Sequence, residues 1–191
     1  MYYHRRNLPH YYPPDAILFV TSRLYGSLPR EAAMALEEPG ANPGRAFVAC
    51  DRLLDANGAG RQWLGQPKIA QIVQEALRLG DTEYGLYELL AWVIMPNHVH
   101  VVMKPSRPLP VVTRWIKGST ARSANLLLGR TGRPFWQCES YDHCVRNGES
   151  LRLIIGYVES NPVAAGLVDS CEAWPWSSAS AGQKACSTTA A

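Results

Sequence analysis

Apolar and polar positions along this 191-residue chain follow two different periods. AILFVTSRL, Ala16 to Leu24, is dense in β-branched and aromatic residues and predicts a first strand. Residues 26–66 then gather Gly, Pro and Ala (EEPGANPG, DANGAG) around short helical patches such as REAAMALEE, which reads as an elaborated connection. KIAQIVQEALRLGD, 68–81, places Ile69, Ile72, Val73, Ala76, Leu77 and Leu79 near helical spacing, with Gly80 as a stop. Two apolar runs follow, YGLYELLAWVIM and HVHVVM, cornered by Pro96-Asn97, and predict a hairpin. VVTRWIKGSTARSANLLL, 111–128, reads as a helix interrupted at Gly118, and GRTGRPFWQ as a loop. In 148–160 Leu151, Ile154, Ile155 and Val158 form the i, i+3, i+4, i+7 stripe of an amphipathic helix. Pro162 ends that helix at or before Asn161. The small, polar tail, from Ser177 or about 180 onward, is expected to be disordered. This mixture predicts an α+β sandwich with helices packed on an antiparallel sheet, as one domain over 1–191.

Composition adds exclusions. No apolar stretch is long enough to cross a bilayer, and the start MYYHRRNLPHYY has no apolar signal region, so a cytoplasmic protein with no membrane partner is expected. The cysteines are Cys50, Cys138, Cys144, Cys171 and Cys186, an odd number without a CxxC pair, which indicates neither a disulfide framework nor a zinc knuckle. Net charge is only +3, yet residues 104–152 carry +6 while the parts before and after carry −1 and −2. A block of that sign directly after the hairpin suits a polyanionic partner, or is a solvated face.

The candidate chemistry lies in MPNHVHVV, 95–102. Residues i and i+2 of a strand project to one side, so His98 and His100 share a face with Val102. Two buried imidazoles without partners would cost about 1–3 kcal/mol each, and a shared metal ion removes that cost. The ordinary alternative is a pair of hydrogen-bonded strand histidines. In the late helix Tyr157 and Asn161 are four apart, hence neighbours, and Tyr157 lies about a third of a turn off the core stripe at roughly 100° per residue.

These residues resemble a known group. MPNHVHVV is similar to the histidine–hydrophobe–histidine signature of the HUH single-strand nucleases. FVTSRLYGSLP, FWQCESYDHCVRNGESLRLIIGYVESNPVAAGLV and EAWPWSSA resemble the REP-associated tyrosine transposases, relatives of the IS200/IS605 transposases. The resemblance spans roughly 15–180 and matches 26–66 poorly; its most specific element is Tyr-x-x-x-Asn-Pro 57 residues after the second histidine. It implies the ferredoxin-like, RRM-like HUH sandwich, with His98 and His100 holding Mg²⁺ or Mn²⁺, Asn161 as third ligand and Tyr157 as nucleophile. Where transposase relatives often carry Gln, this chain has the shorter Asn161.

The implied reaction is metal-dependent cleavage and strand transfer of single-stranded or hairpin DNA, such as REP-like palindromes, through a 5′-phosphotyrosine. Imidazole and amide ligands alone equally admit Zn²⁺, Ni²⁺ or Mn²⁺. Lys104, Arg114, Lys117, Arg122 and Arg146 are candidate phosphate contacts, and Trp136 a stacking platform whose alternative is core packing. His143 supports the site or DNA, or is an ordinary histidine. A monomer is favoured over a homodimer. Two other classes compete: a silent DNA-binding regulator, and a zinc hydrolase using His98, His100, His143 and Cys138 or Cys144.

Overall fold

A computed structural model of the chain describes residues 2–5, 9–13, 15–28, 43–55 and 60–181. An antiparallel ribbon comes first, β1 (Tyr2–Arg5) and β2 (Pro9–Tyr12), with Tyr2 opposite Tyr12. The main sheet contains β3 (Leu18–Arg23), β4 (Tyr87–Ile94), β5 (His98–Pro105) and β6 (Tyr141–Cys144) in the spatial order β4-β5-β3-β6, every pair antiparallel. Four helices accompany it among the described residues: α1 (Pro43–Asp55), α2 (Pro67–Thr82), α3 (Leu109–Leu127) and α4 (Gly148–Ala164). This is the α+β architecture expected from the pattern.

Alternation along the strands divides the core in two. Leu18, Val20, Val99, Val101 and Met103 face one side, where α2 brings Ile69, Val73 and Leu77 and α3 brings Val112, Ile116 and Ala124. Phe19, Ala91, Val93 and Val102 face the other, packing with Val158, Leu151, Ile154 and Ile155 of α4 and Phe47 of α1. His98 and His100 belong to this second face, since Thr21 pairs with His100 and Phe19 with Val102 in the β3–β5 register. Burying both faces explains why these strands read as nearly continuous apolar runs rather than clean alternations.

Four expectations need correction. Gly80 does not stop α2, which runs on to Thr82; a Cβ there would fall on the Tyr87 ring and hydroxyl, so the glycine serves close packing. Gly118 does not interrupt α3, because its surroundings are open and the helix continues through it. Pro162 lies inside α4, which ends at Ala164. Proline forfeits one main-chain hydrogen bond, and Pro162 offsets this by being buried in the last turn. Finally, residues 177–181 are ordered: Trp176 O accepts from Ile94 N, the Ser178 hydroxyl meets Trp92 and Glu159, and Val93 bridges Ser177. The segment thereby covers the outer edge of β4, which would otherwise present unpaired groups. REAAMALEE and the residues from 182 lie outside the described residues, as does part of the 26–66 connection.

Candidate metal and nucleophile site

The β4–β5 turn organises the site. Met95 N–H donates to His98 O to close it. Asn97, buried at its tip, donates from Nδ2 to Leu54 O of α1 at 2.9 Å and receives the His98 Nδ1 contact on Oδ1 at 2.7 Å. A carbonyl can only accept, so Leu54 O fixes the amide orientation. His98 Nδ1 then carries the proton, and His98 Nε2 presents a lone pair. That nitrogen lies 3.0 Å from His100 Nε2, whose ring is anchored through Nδ1 to the Thr21 hydroxyl at 2.8 Å. With His98 Nε2 as acceptor, His100 Nε2–H donates to it, and Thr21 donates to His100 Nδ1. A cation needs both Nε2 lone pairs, so His100 must change tautomer, and the Thr21 hydroxyl can rotate to accept instead.

Helix α1 supplies what the sequence did not reveal. Phe47, Asp51, Leu54 and Asp55 recur at helical spacing on its inner side, so two carboxylates stand in what is otherwise an apolar stripe. Asp51 Oδ1 lies 3.2 Å from His100 Nε2 and 3.9 Å from His98 Nε2, and Asp55 Oδ1 lies 3.9 Å from His98 Nε2. Neither carboxylate oxygen has a hydrogen-bond partner among the described residues. Asp51, His98 and His100 offer ligand atoms within 4.8 Å of one another, and all three are buried. Two imidazoles and a carboxylate whose ligand atoms lie this close together fit a divalent cation. Burial, and then the neighbouring His100, hold the His98 pKa well below the usual histidine range. Burial, and then Asp51, push the Asp55 carboxyl up to about 6.

Tyr157 on α4 leans over this group. Its ring centroid is 5.7 Å from His100 and 6.2 Å from Phe19, and the residue is 38% exposed. It lines an open cleft of about 850 Å³ together with Asp51, Asp55, Tyr141, His143 and Arg146. Asn161, one turn further along α4, is buried, and neither its Oδ1 nor its Nδ2 has a partner among the described residues.

The expected DNA contacts separate. His143 and Arg146 reach the cleft. Arg114, Lys117 and Arg122 belong to α3, on the opposite side of the sheet from the histidines, and Lys104 pairs with Asp15 near the far end of β5. Two of these expectations are corrected outright. The Lys117 ammonium is spent on the carbonyls of Gln137, Cys138 and Glu139. Trp136 is buried, its indole N–H donates to Thr120, and its ring packs on Phe135, so no face is left for a base. His143 and the cysteines add nothing to the ligand cluster, which removes the support for a zinc hydrolase built on them. No helix among the described residues is long and apolar enough to cross a membrane.

The same fold is found in known proteins. The likeness is to the REP-associated tyrosine transposase solved bound to a REP hairpin, at TM-score 0.56 and 20% identity, covering 93% of this chain and 82% of that one. A candidate transposase from Deinococcus radiodurans R1 aligns at TM-score 0.38 and 12% identity over 83% of this chain and 98% of that one, and the fold assignment rests on the first likeness alone. No family model matches the sequence, and no curated protein does.

Proposed function

We propose that the protein is a metal-dependent DNA strand transferase that cleaves single-stranded or hairpin DNA through Tyr157. The observation that carries this reading is the convergence, in one chain, of a half-exposed phenol with two imidazoles and a carboxylate beside an open cleft. His98, His100 and Asp51 would hold the ion, with the orphaned amide of Asn161 as a further oxygen donor. Imidazole nitrogen together with carboxylate oxygen favours Mn²⁺ over Mg²⁺, because Mg²⁺ prefers all-oxygen shells. A cation held by these residues would supply Lewis-acid stabilisation of the charge on the phosphate.

The chain's own groups do the rest. Tyr157 Oη gives up its proton as it bonds to phosphorus, the P–O3′ bond breaks, and the 3′ oxygen leaves as a hydroxyl. The bond energy is kept in the 5′-phosphotyrosine for rejoining, which hydrolysis by water would discard. Phe19 and His100 position the phenol, and Arg146 and His143 stand at the cleft for phosphate. A fluorescent DNA hairpin with a single-stranded foot should become covalently attached in Mn²⁺. Tyr157→Phe should abolish attachment without changing the melting temperature, and attachment that survives it removes Tyr157 from the role.

One observation favours a second reading. His98 and His100 are completely buried, and Asn97 ties the turn before them to Leu54 O of α1, so this reading takes α1 as a fixed cover over the imidazoles. A regulator that keeps the fold without turnover would leave α1 closed and give hairpin binding with no covalent product in any divalent metal.

A further inference from the structure

A second cluster lies beyond the cleft, where the strands end. Trp63, in the short turn Trp63–Gly65, stacks on buried Phe135 with centroids 5.6 Å apart and planes 15° from parallel. Two guanidinium groups rest on the same indole, Arg130 at 4.3 Å and Arg61 at 4.8 Å. Arg61 also covers Tyr25 at 5.6 Å and donates from Nη1 to Tyr25 O. Tyr25 itself is 45% exposed.

Cation–π contact gathers like charges but does not neutralise them. Among the described residues no carboxylate forms an ion pair with Arg61 or Arg130, and Arg130 Nε is buried without any acceptor. Two forks of donors are therefore held flat, with no carboxylate among the described residues answering their charge. The arrangement is also rigid. Arg130 N–H donates to Asn125 O, Asn125 Nδ2 donates to Arg133 O, and Gly129 and Gly132 take the positive φ values, 62° and 80°, that this tight loop requires. Arg133, on the same loop, is exposed.

Position gives the cluster its meaning. Leu64 N–H donates to Pro96 O and Leu24 N–H to Asn97 O, which ties both sides of the cluster to the turn that precedes His98. Arg23, two residues before Tyr25, pairs with His98 in the sheet register. A strand lying on the cluster therefore meets the end of the sheet where His98 lies, approaching it from the face opposite the imidazoles.

We propose that Arg61, Arg130 and Tyr25 on the Trp63 platform form a nucleic-acid clamp, the two guanidinium groups taking successive phosphates of an unpaired strand and the phenol stacking a base. Arg suits this task because its planar fork meets phosphate oxygens in pairs while its face stays on the indole. Stacking on Tyr25 gives purchase on single strands without reading their sequence. The proposal rests on the preceding reading only in taking DNA as the substrate, and it needs neither the cation nor Tyr157.

The test is fluorescence anisotropy in chelator, where no cleavage occurs, using a labelled DNA hairpin with a single-stranded foot and a blunt hairpin as the second probe. The double variant Arg61→Gln with Arg130→Gln should weaken binding about tenfold. It should also flatten the slope of log affinity against log salt by about 1.4, at roughly 0.7 for each single-strand phosphate contact. Tyr25→Ala should weaken the footed hairpin and leave the blunt one unchanged. Arg61→Lys with Arg130→Lys, which keeps the charge, should restore most of the salt slope, and this separates phosphate contact from damage to the fold. Affinity within twofold of wild type and an unchanged slope in the Gln variant overturn the clamp, even if wild type still attaches DNA covalently. Loss of binding in that variant supports the clamp even if wild type attaches none, and wild type binding neither probe refutes both readings.

Discussion

Asn97 offers the sharpest perturbation, because one side chain serves the metal site and the helix above it. Asn97→Ala deletes the acceptor that holds the His98 Nδ1 proton and the donor that holds Leu54 O, both in fully buried surroundings. Each orphaned group costs about 1–3 kcal/mol, so a loss of about 2–4 kcal/mol in chelator is expected once partial relaxation is allowed. The cation site suffers separately. Without Oδ1 nothing selects the tautomer that leaves His98 Nε2 unprotonated, and loss of such an outer hydrogen bond weakens metal affinity about 10–100-fold. The main chain is untouched, since Leu24 N–H still donates to Asn97 O.

Asn97→Asp separates the two roles. It keeps an acceptor for His98 and strengthens it with charge, but sets a carboxylate oxygen against Leu54 O in place of the amide donor. Mn²⁺ affinity should therefore survive, while stability falls through the α1 contact. Urea denaturation in chelator reads the stability, and loss of the free Mn²⁺ signal in electron paramagnetic resonance reads the affinity. If Asn97→Ala binds Mn²⁺ as tightly as wild type, the tautomer argument fails, whatever happens to stability.

Other consequences can be measured with the same tools. Asp51→Asn should weaken Mn²⁺ binding at least tenfold, the lower bound for an outer-shell loss, since it removes the carboxylate nearest both imidazoles; unchanged affinity would exclude Asp51 as a ligand. Acid sensitivity of the metal-free protein has two opposing sources. The depressed His98 pKa means that below about pH 6.5 only the unfolded chain takes up that proton, so stability falls with pH by up to about 1.4 kcal/mol per unit. The Asp55 carboxyl, raised from 3.8 to about 6, acts in reverse: the folded chain binds its proton first, so stability rises as pH falls between those values. Asp55→Asn should thus stabilise the metal-free protein at pH 7.5 by about 1–3 kcal/mol and steepen its loss between pH 6 and 4, as followed by urea titrations across pH. Gly80→Ala should cost about 2–4 kcal/mol, from overpacking against Tyr87 and loss of the Tyr87 hydroxyl's bond to Leu77 O. Combining it with Tyr87→Phe should recover part of this loss, and simple additivity in denaturation would contradict the clash.

The parts of the structure legible in the sequence are those whose cause is local. Period-two and period-3.6 patterns place β3, the β4–β5 hairpin, α2 and α4, and strand geometry puts His98 and His100 on one side. Misreadings arose where a single residue was given a fixed meaning. Gly80, Gly118 and Pro162 all punctuate helices in isolation, yet tertiary contacts decide whether the helix continues. The basic block misled for a related reason: charge along the chain does not say on which side of a sheet a helix will lie, and α3 lies across from the histidines.

The carboxylates of α1 were the costliest omission, and the reason is physical. AFVACDRLLD sits in a Gly- and Pro-rich stretch whose composition suggests a loop, and its acids occupy stripe positions where a sequence reader expects apolar side chains. A buried Asp is tolerable only if something on the facing element answers it. Here the answer is a pair of imidazoles some 45 residues away in sequence, so neither segment announces the other. An acidic residue at an inward helical position and a lone strand pair of histidines are each weak signals. Each has an unmet need that the other, with a cation between them, would meet, and this mutual dependence is what places α1 within the site rather than in a decorative connection.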